Sequence, residues 1–447
     1  MHDDLRTATD RSFPDLVASL ESLVSIPSVS APGYDPAEVR RSAEFTAGLL
    51  SSAGCPDVRL LEIEGAHPAV FAHLPGPENA PTVLLYAHHD VQPPGPADEW
   101  DAAPFQPFAR DGRIYGRGTS DDKAGVMVHV GAIGALGPQP PVGIKVLVEG
   151  EEEIGSAHLG SFLDTYQDLF AADVIVILDS SNWAVGVPTL TTSLRGLVDC
   201  TVEVRTLRHA VHSGMFGGAI PDAITTLARL LATLHNEDGE VAVAGLHAAD
   251  TTALDLTADE LRAQAEPVDG IRLLGSGSIT SRLWTKPAIA VLAVDAPPLS
   301  EAINQLVPVA RAKVSLRLAP GDDPARAMDA LGAHLEGNVG WGAEVTVTRG
   351  AMGEPFAGDT AGQIYDAFRT AFTEAWGRET AEMGVGGSIP FVADFATRYP
   401  EATILLTGVA DPTSRAHGPN ESQDLDEIRK GILAEAIALR LLGAGHF

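Results

Sequence analysis

Basic residues are scarce in this chain. Lys and Arg number 30 against 60 Asp and Glu in 447 residues, a formal charge of −30. A field of that sign repels phosphodiester backbones and anionic headgroups, so neither nucleic acid nor a membrane surface is an expected partner. Cysteine is scarcer still. The two thiols, Cys55 and Cys200, cannot build a disulfide framework, and they fit a reducing cytosol, so a cytoplasmic location is expected. The opening Met1-His2-Asp3-Asp4 lacks the charged-then-apolar pattern of a secretion leader. No apolar run approaches the length of a membrane span, and no repeat or low-complexity tract stands out. What is present, 45 % hydrophobic and 20 % charged, is the balance of a folded globular protein. The length exceeds what one core usually serves, so two domains are expected.

A first helix is expected from about Phe13 to Ser25, with Leu16, Leu20, Leu23 and Val24 on one face and Pro27 as its stop. Short apolar runs then alternate with helical patterns: Val83–Tyr86, Ile144–Val148 and Val174–Leu178, with a helix carrying Val126, Val130 and Ile133 between the first two. That alternation implies an α/β fold with a largely parallel sheet flanked by helices. After about Ser193 the pattern changes. Leu197–Val204 alternates apolar and polar residues, as an antiparallel strand with one wet face does. A helix opening at Pro221 and running to Leu234 follows, then strands Lys313–Leu318 and Ala343–Val347. We therefore expect a catalytic α/β domain in two parts, 1–193 and 353–447, around a smaller inserted α+β domain, 194–352. In the second part, Thr403–Leu406 reads as a strand and Leu425–Leu442 as a helix stopped by Gly443.

Each of four apolar strands runs into a polar cluster. Val83–Tyr86 leads to His88 and Asp90; Ile144–Val148 to Glu149, Glu151, Glu152 and Glu153; Val174–Leu178 to Asp179; Thr403–Leu406 to Asp411 and His417. In an open parallel sheet the carboxyl ends of the strands face one crevice. Taken singly, each cluster has a plain structural reading: His88 a core histidine, Asp121 a helix cap, Glu151–Glu153 a solvated helix start, Asp179 a turn residue. Taken together, His, Asp and Glu at four strand ends suggest one metal site. The loop Gly116-Arg117-Gly118-Thr119-Ser120-Asp121-Asp122-Lys123 adds a carboxylate able to bridge two cations. His129 and His158 have no ligand pattern around them.

Ala87-His88-His89-Asp90-Val91-Gln92-Pro93, Gly116–Lys123, Glu149–Ser156, Asp179, Val211-His212-Ser213-Gly214, Gly386-Gly387-Ser388-Ile389-Pro390 and Ala416-His417 occur in this order over nearly the whole chain. The ordered set resembles the co-catalytic zinc metallopeptidases that include carnosinases, bacterial dipeptidases, carboxypeptidase G and aminoacylase. The resemblance implies two divalent ions per chain, expected to be Zn2+ with Mn2+ or Co2+ as alternatives. Their ligands would be His88, Asp121, Glu153, Asp179 and His417, with Asp121 bridging. Asp90 would orient His88. Glu152 would be the general base, taking a proton from water held at the metals and passing it to the leaving amine. Arg317, Ser388 and Gly387 would bind the substrate carboxylate, for which a guanidinium fork is suited. His212, in the inserted domain, would reach a substrate oxygen, and in dimeric members it comes from the partner subunit. A homodimer through the inserted dimerisation or lid domain is therefore expected.

His89 follows His88, Ala87 replaces a frequent glycine, and Ile154 follows the paired glutamates; these departures bear on substrate and remove no ligand. Asp at position 179, with Gly-Gly-Ser-Ile-Pro, resembles the carnosinase and dipeptidase branch more than carboxypeptidase G. The leading expectation is a dipeptidase for small peptides with a free C-terminal carboxylate. The alternative is an N-acyl amino acid deacylase using the same metals. A non-catalytic metal-binding relative fits less well, since a binding module needs no base at Glu152.

Overall fold

The computed structural model describes residues 2–251, 254–387 and 389–445. The chain divides into two compact units, one formed by residues 1–192, 358–383 and 394–447, the other by residues 193–357 and 384–393.

The first unit is built on a sheet with strand order Asp57–Leu61, Ala69–Leu74, Gly143–Glu149, Thr82–His88, Val174–Ile177, Thr403–Thr407, Thr189–Leu194; the last of these strands leads into the second unit. The four strands from Gly143–Glu149 to Thr403–Thr407 are mutually parallel, and the outer pairings are antiparallel. A parallel strand is covered on both faces and reads as an unbroken apolar run. Val83, Leu84, Leu85, Tyr86 and Ala87 are accordingly all shut off from solvent. Each fully buried aliphatic side chain contributes about 1.5–3 kcal/mol relative to exposure, and that burial pins the polar strand ends in place. The helix Lys123–Leu136 packs against Asp3–Val24 and Leu425–Ala444.

Three helix boundaries differ from the sequence expectation. The first helix begins at Asp3, not Phe13, and carries Pro14 in its interior; Leu5 and Thr9 extend its buried stripe to the first turn. The last helix runs through Gly443 to Ala444 and is capped at Gly445. Gly443 serves packing rather than termination, because a Cβ there would lie 2.5 Å from Pro141. The helix expected to open at Pro221 is Ala223–Ala232, with Asp222 as its cap accepting from the Thr225 amide at 2.8 Å; Pro221 lies before it.

The second unit holds a four-stranded antiparallel sheet, in the order Ala288–Asp295, Val309–Leu318, Gly196–Arg205, Glu344–Gly353. Gly196–Arg205 alternates strictly, with Val198, Cys200, Val202 and Val204 buried. They face the helices Ala223–Ala232 and Pro324–Asn338 in a separate apolar core.

Candidate metal centre

The four parallel strands deliver their carboxyl ends side by side, and the polar residues there converge. His88 is the last residue of its strand and is fully buried. Its Nδ1 lies 3.1 Å from the Asp90 carbonyl oxygen and 3.4 Å from Asp90 Oδ1. Its Nε2 faces Asp121 Oδ1 at 3.0 Å and Asp179 Oδ1 at 3.8 Å. An Nδ1–H held by Asp90 leaves the Nε2 lone pair aimed at the carboxylates. The Asp90 carboxylate also accepts from the amides of Glu152 at 3.2 Å and Glu153 at 3.1 Å. One buried residue thus sets both the imidazole, chiefly through its carbonyl, and the turn that carries the paired glutamates, through its carboxylate.

Asp121 presents one oxygen to each of two histidines: Oδ1 to His88, and Oδ2 to His417 Nε2 at 3.0 Å. His417 Nε2 also lies 3.1 Å from Glu153 Oε2. The Glu153 carboxylate accepts from the Gln92 amide at 3.1 Å, and the Gln92 side-chain amide donates to the Glu153 carbonyl at 2.9 Å. Two ligand-like groups result, sharing His88: His88 with Glu152 and Asp179, and His88 with Asp121 and Glu153, the candidate donor atoms in each lying within 4.8 Å of one another.

The electrostatics of this cluster fit a cation. Burial pushes the Asp179 carboxyl well above the usual range, and the charges of Glu152, Asp121 and Asp122 push it further against an opposing pull from His88. Burial likewise raises Glu152 to about 7, with His88 opposing and Glu153, Asp121 and Asp90 adding to it. His417 is raised to about 10 by its contacts with Asp121 and Glu153. For Asp121, burial works upward, but His417 and His88 outweigh it and hold the carboxyl low. Crowded carboxylates with imidazole nitrogens turned toward them are a donor set that a divalent ion of the zinc type satisfies, and its charge reverses the local cost of ionisation.

His88, Asp90, Asp121, Glu152, Glu153, Asp179 and His417 are therefore brought together within the first unit. Glu149 and Glu151 turn elsewhere: Glu149 accepts from the Tyr86 hydroxyl at 2.6 Å, and Glu151 accepts from the His67 amide and faces His158 Nδ1, both at 2.7 Å. Helix capping, the plain role considered for Asp121, falls to Asp122, whose carboxylate accepts from the Gly125 amide at 3.2 Å and the His88 amide at 3.3 Å. Gly118, at φ +83°, shapes the loop before it; a Cβ there would meet Val91 at 2.4 Å.

His212, Arg317 and Gly387 belong to the second unit. His212 is exposed, pairs with Gln305 in a short two-stranded antiparallel ladder, and accepts from the Gly214 amide through Nδ1 at 3.1 Å. Arg317 lies on the strand Val309–Leu318, which runs beside Gly196–Arg205. The sequence reading missed Arg195, whose buried guanidinium donates to the carbonyls of Gly386 at 3.0 Å, Arg282 at 3.3 Å and Lys286 at 3.5 Å. Burial, and then the charge of Arg317, lower it to about 10. An Arg-Gly pair at a strand start was its only sequence signal. Ser388 lies outside the described residues.

Residues 84–440 match the family described as Peptidase family M20/M25/M40. A cysteinylglycine-S-conjugate dipeptidase of Corynebacterium striatum is 37 % identical over 375 residues, 82 % of each chain. A Beta-Ala-His dipeptidase of Rattus norvegicus is 28 % identical, covering 79 % of this chain and 75 % of its own. Among solved structures, the M20 family metallo-carboxypeptidase Sso-CP2 of Sulfolobus solfataricus superposes with a TM-score of 0.80 at 25 % identity, over 96 % of this chain and 99 % of that one. Human carnosine dipeptidase 1 shares the fold, with a TM-score of 0.78 at 24 % identity over 99 % and 98 %.

Proposed function

The chain belongs to peptidase family M20/M25/M40, and from that membership we propose that it is a di-metal dipeptidase cleaving small peptides with a free C-terminal carboxylate. The observation that carries this reading is the Asp121 carboxylate set between His88 and His417, with Glu152 grouped with His88 and Asp179. His88, Asp121 and Asp179 would hold one ion, and Asp121, Glu153 and His417 the other. Zinc suits mixed imidazole and carboxylate donors, as do manganese and cobalt. Two such ions, when bound, polarise the scissile carbonyl and make a proton easier to remove from water.

The chain's own residues do the rest. Asp90 holds His88 in one tautomer and fixes the Glu152–Glu153 turn. Glu152 is the carboxylate left to move a proton, first from water and then to the leaving amine. Grouped with His88 and Asp179, Glu152 stands where it can make that transfer. Arg317, with Gly387 and Ser388, would grip the substrate carboxylate. The named relatives act on cysteinylglycine conjugates and β-Ala-His, which favours dipeptides over N-acyl amino acids.

A homodimer through the second unit, with His212 reaching the partner's substrate, completes the proposal. It is supported by the edge strand Ala288–Asp295, which exposes Val291, Leu292 and Val294, and by exposed Met215, Leu299 and Ile303. Such a strand edge invites a second chain. A reducing cytoplasm suits the two buried free thiols, Cys55 and Cys200, and no helix among the described residues is long and apolar enough to cross a membrane.

The test is a panel of one dipeptide, its C-terminal amide and the N-acetyl derivative of its C-terminal amino acid, each with added zinc or manganese. The dipeptide should be hydrolysed, and the amide should lose a few kcal/mol of kcat/KM, because one side of a charge-assisted pair is left unmatched. Equal turnover of acid and amide contradicts carboxylate recognition, and turnover of the N-acetyl amino acid alone contradicts the dipeptidase reading.

A further inference from the structure

Arg117 and Glu421 are paired in the first unit with almost no exposure, 1 % and 0 % of their side chains. Arg117 Nη1 donates to Glu421 Oε2 at 2.6 Å. The same carboxylate accepts from the amides of Gly118 at 3.0 Å, Ser120 at 2.9 Å and Asp121 at 3.2 Å, and the Glu421 carbonyl accepts from the Gly116 amide at 2.9 Å. The other arm of Arg117, Nη2, donates to the His417 carbonyl at 3.0 Å and more weakly to Pro93 at 3.4 Å. The guanidinium lies 5.4 Å from the Trp100 ring centre.

A buried ion pair is a poor source of net stability, because an apolar pair of similar volume often serves as well or better. The bonds of this pair explain its presence differently. Those of the Glu421 carboxylate end on the loop that carries Asp121, and Arg117 adds a bond to the backbone of His417. His417 has φ of +63°, a conformation few non-glycine residues adopt, so its placement needs anchoring from outside. The planar guanidinium holds Glu421 through Nη1 and the His417 carbonyl through Nη2 in one fixed fork, a geometry that an ammonium on a flexible stem does not impose. His88 and Asp179, by contrast, are set by the strands Thr82–His88 and Val174–Ile177.

We propose that Arg117 and Glu421 form a buried strut that presets Asp121 and His417, making them positioning residues for the ion on the His417 side of the centre. The inference rests on the two-ion reading above. Its test is a calorimetric titration of Zn2+ into the metal-stripped full-length chain, for the native protein, Glu421→Gln and Arg117→Lys. The native protein should bind two ions. In the variants the binding event on the His417 side should weaken by about 10–100-fold, the range for residues that orient ligands, and the other, which shares only Asp121 with it, by clearly less. Dipeptidase kcat should then recover as Zn2+ is raised. Melting of metal-free Arg117→Lys should stay near native, whereas Glu421→Gln, which strands a buried guanidinium, should melt lower. Two unaltered affinities, or equal weakening of both in Arg117→Lys, overturn the strut. If Glu421→Gln does not fold, Arg117→Lys decides, since it keeps the charge and loses only the fork. A native protein that binds no Zn2+ instead overturns the two-ion reading, and the strut with it.

Discussion

Asp90 joins two roles that the sequence separates by some sixty positions, accepting from the Glu152 and Glu153 amides at 3.2 and 3.1 Å while steadying His88. Adjacent carboxylates on that turn then diverge. Glu153 is committed to His417 and Gln92, whereas Glu152 stays beside His88 and Asp179 with an elevated pKa. We expect Glu152→Gln to keep its fold and both ions but lose about 10²–10⁴ in rate, the usual contribution of general acid–base catalysis. Glu153→Gln should weaken metal binding instead. Steady-state rates paired with metal analysis separate the two, and near-native turnover in Glu152→Gln would move the base role to another residue.

At the scale of elements, the parallel strands were legible because double-sided burial forces continuous apolar runs, and the polar residues after them marked the crevice. Leu197–Val204 was legible for the opposite reason, its alternation reporting one covered face. Helix ends were read less well. Pro14 and Gly443 look like punctuation but sit inside helices, where packing around Leu5 and against Pro141 overrides the local signal. The cap belonged to Asp122 rather than Asp121, a difference of one residue that only the direction of each side chain reveals. The strut was invisible for a further reason: Arg117 and Glu421 are 304 positions apart, and although Arg117 sits in the Gly116–Lys123 loop, nothing in the sequence pairs it with Glu421. His129 and Glu435 make a similar pair, 2.8 Å apart between the helices Lys123–Leu136 and Leu425–Ala444. It gives that buried histidine a structural partner, in keeping with the absence of ligand-like neighbours in its sequence.

For the whole molecule, the proposed dimer makes a prediction about His212. A hydrogen-bond donor aimed at a developing oxyanion is worth about 2.7–4 kcal/mol, so His212→Ala should be severely impaired. Mixing inactive Glu152→Gln chains with inactive His212→Ala chains should restore activity as subunits exchange, because one site of each mixed dimer receives both intact residues. Demonstrated exchange without recovery would place His212 in its own chain's site or in none.

The central claim is that hydrolysis depends on two divalent ions gathered around Asp121. It is tested most directly by stripping the protein with a chelator and following dipeptide hydrolysis as zinc is returned in measured equivalents. The stripped protein should be inactive, and activity should reach a plateau at two ions per chain. Full activity without metal, or a plateau indifferent to His88→Ala and His417→Ala, would contradict it.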